Sequence, residues 1–235
     1  MKKLAKISAF ALTGFMLFGF TTIIKKSSII KKSSFEGVIK YDVKVNSDNP
    51  QAAAMLQGST ITIYIKGDMS RTESNFGMSK NITIANRNKP NDPIILVNYM
   101  GNKYQLKEDP TMKEKAKENQ PEIKYLDGTK TIAGYDCKEA QVTVTDKASG
   151  QKATTDVYYT DKLPYSNSSG RFKGLKGFPM FFTMQKQGMT ITVTATSVEK
   201  QSVSDDMFKV PAGYKLMTPD EMHKDLMSKM GGGGN

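Results

Sequence analysis

Between Met189 and Thr196, in a strand expected to run to Glu199, the chain alternates without a break: Met189, Ile191, Val193 and Ala195 fall on one side, Thr190, Thr192, Thr194 and Thr196 on the other. A period of two is the repeat of an extended strand, and on a helix it would scatter the apolar residues around the axis. One face is apolar and the other hydroxylic, so this strand belongs to an antiparallel sheet with a dry and a wet side. The repeat recurs along most of the chain. Phe35, Gly37, Ile39, Tyr41, Val43 and Val45 alternate with Glu36, Lys40, Asp42 and Lys44, and only Val38 departs from the pattern. Ile61, Ile63 and Ile65 line one side of 59–66, and Gly67-Asp68 turns that strand into 69–74. Further strands are expected at 80–85, 94–100, 103–107, 123–126, 129–132, 137–145, 152–160 and 180–185, with a Pro/Asn loop over 86–93 and a hairpin turn at Lys186-Gln187-Gly188.

Helical signals are few. Pro50 opens a segment to Gln57 whose Ala52, Ala53, Ala54, Met55 and Leu56 are good helix formers, and Thr218-Pro219-Asp220-Glu221 is a capping box ahead of a stripe formed by Met222, Leu226 and Met230. The charged segment 111–119 reads equally as helix or loop, and 164–179 as a long irregular loop. The fold expected is mainly β: a curled antiparallel sheet, an incomplete barrel of about eleven strands, covered by two or three short helices. It occupies 35–230 as a single domain, followed by a Gly-rich tail at 231–235.

Lys2, Lys3 and Lys6 precede an apolar stretch from Ile7 to Ile24, the pattern of a secretory signal peptide over 1–24. The alternative is an uncleaved anchor, which would place Lys25, Lys26, Lys31 and Lys32 on the translocated side against the positive-inside bias. Residues 25–34 read as a Lys/Ser-rich linker. The expected location is the periplasm or envelope, with the protein soluble after cleavage. The seven lysines of 1–34 also explain most of the net charge of +11: the remainder carries 27 basic against 23 acidic residues, so a nucleic-acid partner is disfavoured.

Catalytic chemistry finds little support. One Cys and one His exclude a disulfide framework, a multi-ligand zinc site and a triad with a histidine to spare. Asp205 and Asp206 point to different sides of an extended chain, and Gly170, Gly174 and Gly177 lack the strand-to-helix context of a phosphate loop. No cofactor, metal or enzymatic activity is expected. Cys137 reads as a buried small hydrophobe, and His223 as an exposed helix residue.

Four segments, Phe35-Glu-Gly-x-Ile-x-Tyr, Thr131-Ile-Ala-Gly-Tyr-Asp-Cys-Lys, Lys176-Gly-Phe-Pro-Met and Phe208-Lys-Val-Pro-Ala-Gly-Tyr, resemble an uncharacterised family of exported bacterial proteins, a domain of unknown function, over most of 35–217. The hairpin Ile63-Tyr-Ile-Lys-Gly-Asp-Met-Ser-Arg-Thr-Glu73 and the unit from Thr190 to Tyr214 are also similar to the periplasmic lipoprotein-carrier (Lol) superfamily. That resemblance implies a half-barrel enclosing an apolar cavity for acyl chains. The chain departs from the carriers in having no Trp, and in placing Lys66 where their hairpin has a basic residue followed by Pro.

Surface arithmetic makes a cavity reasonable. About eleven strands at roughly 4.8 Å spacing and 20 Å length offer on the order of 1,000 Å² per face. Three short helices cover roughly 450 Å² of it. A sheet half uncovered on its apolar side must curl, pair with another molecule or hold something, or else fill its interior with its own side chains. Fifteen methionines suit a repacking interior. The lining residues expected are Ile61, Ile63, Ile65, Met180, Phe182, Met184, Ile191 and Val193, with Met222 and Leu226 from the terminal helix. The partner expected is a lipid or acyl ligand. One alternative is an envelope structural or protein-interaction module using the loop Tyr165 to Pro179, with Arg171, Phe172, Lys173 and Phe178, and the strand rims; another is a polyanion-binding module, weakened by the body charge of +4.

Overall fold

The computed structural model describes residues 35–107, 121–145, 150–164, 171–186 and 188–231. Along the chain these form β1 (Glu36–Ser47), α1 (Pro50–Leu56), β2 (Thr60–Lys66), β3 (Met69–Phe76), β4 (Ser79–Asn86), β5 (Lys89–Tyr99), β6 (Asn102–Leu106), β7 (Glu122–Ile132), β8 (Tyr135–Thr145), β9 (Lys152–Thr160), β10 (Phe178–Lys186), β11 (Met189–Lys200), a 3-10 turn (Asp205–Phe208), β12 (Lys215–Met217) and α2 (Pro219–Gly231). The expected signal peptide, the linker, the 111–119 segment and the tail from 232 lie outside the described residues.

All twelve strands make one sheet, in the order β12-β6-β5-β4-β3-β2-β1-β11-β10-β9-β8-β7. It remains open, because β12 and β7 at its two ends do not pair. Two antiparallel meanders thus fan out from a central seam, where β1 pairs with β11: Val43 stands opposite Val193 and Val45 opposite Ile191. The sheet bends back on itself in the second meander, since β7 lies against β11 although β8, β9 and β10 separate them in hydrogen-bonding order. Gly37 allows the seam to close: a Cβ there would sit 2.2 Å from the carbonyl oxygen of Glu199.

Three details differ from the sequence reading. There are twelve strands because the three-residue β12, too short to show a period, pairs parallel to β6. The 86–93 loop shrinks to a turn at Arg87-Asn88, held by Asn88 N donating to Asn86 Oδ1 at 2.8 Å. Pro90 and Pro93 are tolerated in β5 because β6 pairs only with Ile95–Tyr99, leaving the Pro-bearing half without a neighbour on that side among the described residues. The stretches 123–126 and 129–132 are one strand, β7, irregular between Tyr125 and Thr129. The capping box of α2 forms reciprocally: Thr218 N donates to Glu221 Oε2 at 2.8 Å, and Glu221 N to Thr218 Oγ1 at 3.2 Å.

Both faces of the sheet carry core. The face bearing Ile82, Ile84 and Leu96 is covered by Phe208 and Tyr214 from the segment after β11. Arg71 fastens that segment. It is buried, gives its Nε to Glu73 at 2.7 Å and its Nη1 to the Met207 carbonyl at 3.0 Å. Lys66 assists from β2, reaching Asp205 at 2.7 Å and the Val203 carbonyl at 3.1 Å.

Candidate functional site

The opposite face holds the larger apolar cluster, and strand register explains its composition. Ile61, Ile63 and Ile65 of β2 stand opposite Tyr41, Ile39 and Gly37 of β1. Across the seam Val193 and Ile191 of β11 follow, and these stand opposite Phe182 and Met184 of β10. Met180 sits at the register shift between Pro179 and Phe181 and is fully buried. Eight of the ten residues expected to line a cavity therefore belong to one cluster, with Ile65, Met180, Ile191 and Val193 buried and Ile61, Ile63, Phe182 and Met184 half-buried. Met222 and Leu226 are outside it. They are half-buried on α2, which packs on β12 at the far edge of the sheet.

Burial within the cluster is graded. Ile39 and Val193 are wholly inaccessible, whereas Val45, Ile61, Phe76 and Met184, toward one end of the strands, are only partly covered. The one buried phenol here is satisfied: Tyr41 donates to the Pro179 carbonyl at 2.9 Å. Beyond β2 the same face changes character, for β3 presents Ser70, Thr72 and Ser74, and β4 presents Asn81 and Thr83 opposite Ser74 and Thr72. It becomes apolar again at Ile95 and Val97 of β5.

In the loop expected to meet a protein partner, the described aromatic residues are buried. Phe172 and Leu175 are buried over Ala140, Val142 and Val157, and Phe172 meets Phe182 edge to face at 4.9 Å. Phe178 is buried in β10, and Arg171 donates to Thr155 Oγ1 at 3.2 Å. Phe172 is thus a roof over the sheet and Phe178 part of it, and neither aromatic is free at the surface. Residues 165–170 of the same loop lie outside the described residues.

Cys137 is buried, donates Sγ to the Tyr135 carbonyl at 3.4 Å, and is pushed up to about 11 by burial, so the thiol is protonated at neutral pH. Asp205 and Asp206 pair with Lys66 and Lys209 respectively. Among the described residues no group of three His, Cys, Asp or Glu converges as metal ligands, and no helix is long and apolar enough to cross a membrane. A feature the sequence reading missed lies at the β6–β12 edge. Lys103, Lys215 and Lys229 surround a pocket there, residues whose separation along the chain gives no sign of their meeting.

Comparison with protein families matches residues 35–214 to the domain of unknown function DUF4412. No curated protein matches the chain. Among solved structures it is similar to the lipoprotein LppX of Mycobacterium tuberculosis, at 8% identity over 72% of this chain and 89% of that one, with a TM-score of 0.36. It is also similar to LprF from Mycobacterium bovis, at 12% identity over 77% and 91% of the two chains, with a TM-score of 0.29.

Proposed function

The chain belongs to the family of the domain of unknown function DUF4412, and from that premise and the graded apolar face we propose an exported, non-catalytic protein that holds a lipid or acyl chain against β1, β2, β10 and β11. One observation supports this reading above the others. The apolar rows of β2, β1, β11 and β10 run in continuous register from residues that are sealed to residues that are half open, while α1 packs on β1 and α2 on β12. Each methylene moved from water onto such a face is worth about 0.8 kcal/mol, so an alkyl chain of ten carbons has ample driving force. The hydroxyl and amide stripe of β3 and β4 would border the apolar rows and suit the polar end of the guest.

Native mass spectrometry of the full chain purified without detergent tests this, together with titration of a fluorescent fatty acid. The expected result is a co-purifying lipid or saturable uptake, lost in an Ile63→Gln/Met184→Gln variant that keeps its far-ultraviolet circular dichroism. A folded wild-type protein with neither would overturn the proposal, and would favour the envelope-scaffold alternative.

A further inference from the structure

The edge where β6, β12 and α2 meet holds an open pocket of about 310 Å³ whose charged side chains are lysines: Lys103, Lys215 and Lys229. Topology assembles it. The parallel pairing of β12 sets Lys215 opposite Tyr104, and α2 then returns Lys229 to the start of β6, where its Nζ donates to Asn102 Oδ1 at 3.0 Å. Asp225 accepts from both Lys229 and the Tyr104 hydroxyl, the latter at 2.5 Å, so this carboxylate is committed to holding the pocket wall. Lys103 and Lys215 form no ion pair among the described residues. The Lys103 ammonium rests 5.9 Å from the centre of the Tyr214 ring, and Lys215 meets Asp225 only through space.

Three ammonium groups against one carboxylate leave a local charge of +2 in a concave setting, which focuses the field on whatever enters. A carboxylate would neutralise one of the two unpaired lysines and leave the other. A phosphate dianion answers both and offers enough acceptor oxygens for Lys229 as well. We propose that this pocket binds a phosphate group, with Lys103 and Lys215 as its charge partners and Lys229, held by Asp225, as a fixed donor at its wall. The volume leaves room for part of the molecule bearing the phosphate. The strands β5, β4 and β3 separate this pocket from the apolar cluster that begins at β2, so the site stands or falls independently of the acyl-chain proposal.

The test uses the full chain at low ionic strength with two probes: inorganic phosphate followed by calorimetry, and vesicles of phosphatidylcholine containing phosphatidic acid, whose phosphomonoester can carry the second negative charge, followed by co-sedimentation. A Lys103→Gln/Lys215→Gln variant is compared with Lys44→Gln/Lys152→Gln, which removes the same charge from exposed positions on β1 and β9. Saturable binding is expected to weaken about tenfold or more in the first variant, the effect of losing one or two charge-assisted hydrogen bonds, and by less than about twofold in the second, where only weakly interacting surface charge is lost. Binding of phosphate alone assigns the site to a soluble phosphate compound. Pocket-dependent binding of the vesicles assigns it to a lipid headgroup. The proposal is overturned if neither probe binds, or if the two variants weaken binding equally, because the attraction would then be bulk charge.

Discussion

Replacing Arg71 with methionine tests how the segment after β11 is held on the sheet. The substitution keeps much of the aliphatic volume and removes the guanidinium. Two losses follow. The Met207 carbonyl loses a donor at 3.0 Å, and the Glu73 carboxylate, whose side chain is only 14% exposed, is left with Lys80 at 3.2 Å as its counter-charge. An unsatisfied carbonyl costs about 1 kcal/mol and a partly stranded buried carboxylate about 2, for a destabilisation of about 3 kcal/mol. With a urea slope of about 2 kcal/mol per molar, the unfolding midpoint should fall by about 1.5 M.

The effect carries a pH signature. Burial pushes the Glu73 carboxyl up, but hydrogen bonds and charge from Arg71 and then Lys80 more than offset this and hold it below the ordinary glutamate value of 4.5. A depressed carboxylate contributes stability above its unfolded value and loses it as pH falls through its folded value. The gap between wild type and Arg71→Met should therefore be full at pH 7 and shrink below about pH 4.5 as Glu73 is protonated. Adding Glu73→Gln removes the stranded charge, so the double variant should be more stable than the sum of the two single losses. A single-variant loss below about 0.5 kcal/mol, or a gap unchanged between pH 7 and pH 3, would mean that Arg71 does not hold Glu73 and the Met207 carbonyl in place.

Two more expectations follow from the fold. Gly37→Ala would drive a methyl into the Glu199 carbonyl oxygen 2.2 Å away at the β1–β11 seam, and should lower stability by about 1 to 3 kcal/mol in urea unfolding. A cost near zero would mean that the two strands separate freely at this point. Cys137 is sealed and its thiol raised to about 11, so alkylation at pH 8 should be negligible in the native protein and complete in denaturant, as read by mass shift. Fast native labelling would show that the β7–β8 hairpin end opens.

How much of the site was legible depends on the range of the physics behind each residue. The ordering of Ile61, Ile63, Ile65, Ile191 and Val193 on one face follows from strand parity, which neighbouring residues set by themselves. Phe182 and Met184 join them for the same reason. Met222 and Leu226 lie elsewhere because a helix docks where its preceding strand leads it, and β12 takes α2 to the β6 edge. Phe172 and Phe178 looked available in a Gly-rich loop. Phe172 is buried because it covers apolar surface of β8 and β9, and Phe178 because it enters β10 and joins the cluster of the seam.

Local periodicity and turn chemistry alone thus determined that the chain is a succession of amphipathic strands, that β2 turns into β3 at Gly67-Asp68, and that α2 begins at a capping box. They could not determine that Lys40 of β1 would meet Glu199 of β11, 159 positions away, or that three lysines would gather around one pocket. Strand pairing relies on backbone hydrogen bonds that every residue except proline can offer, so the identity of a distant neighbour is decided by which arrangement buries the most apolar surface. Charges converge only after that choice has been made.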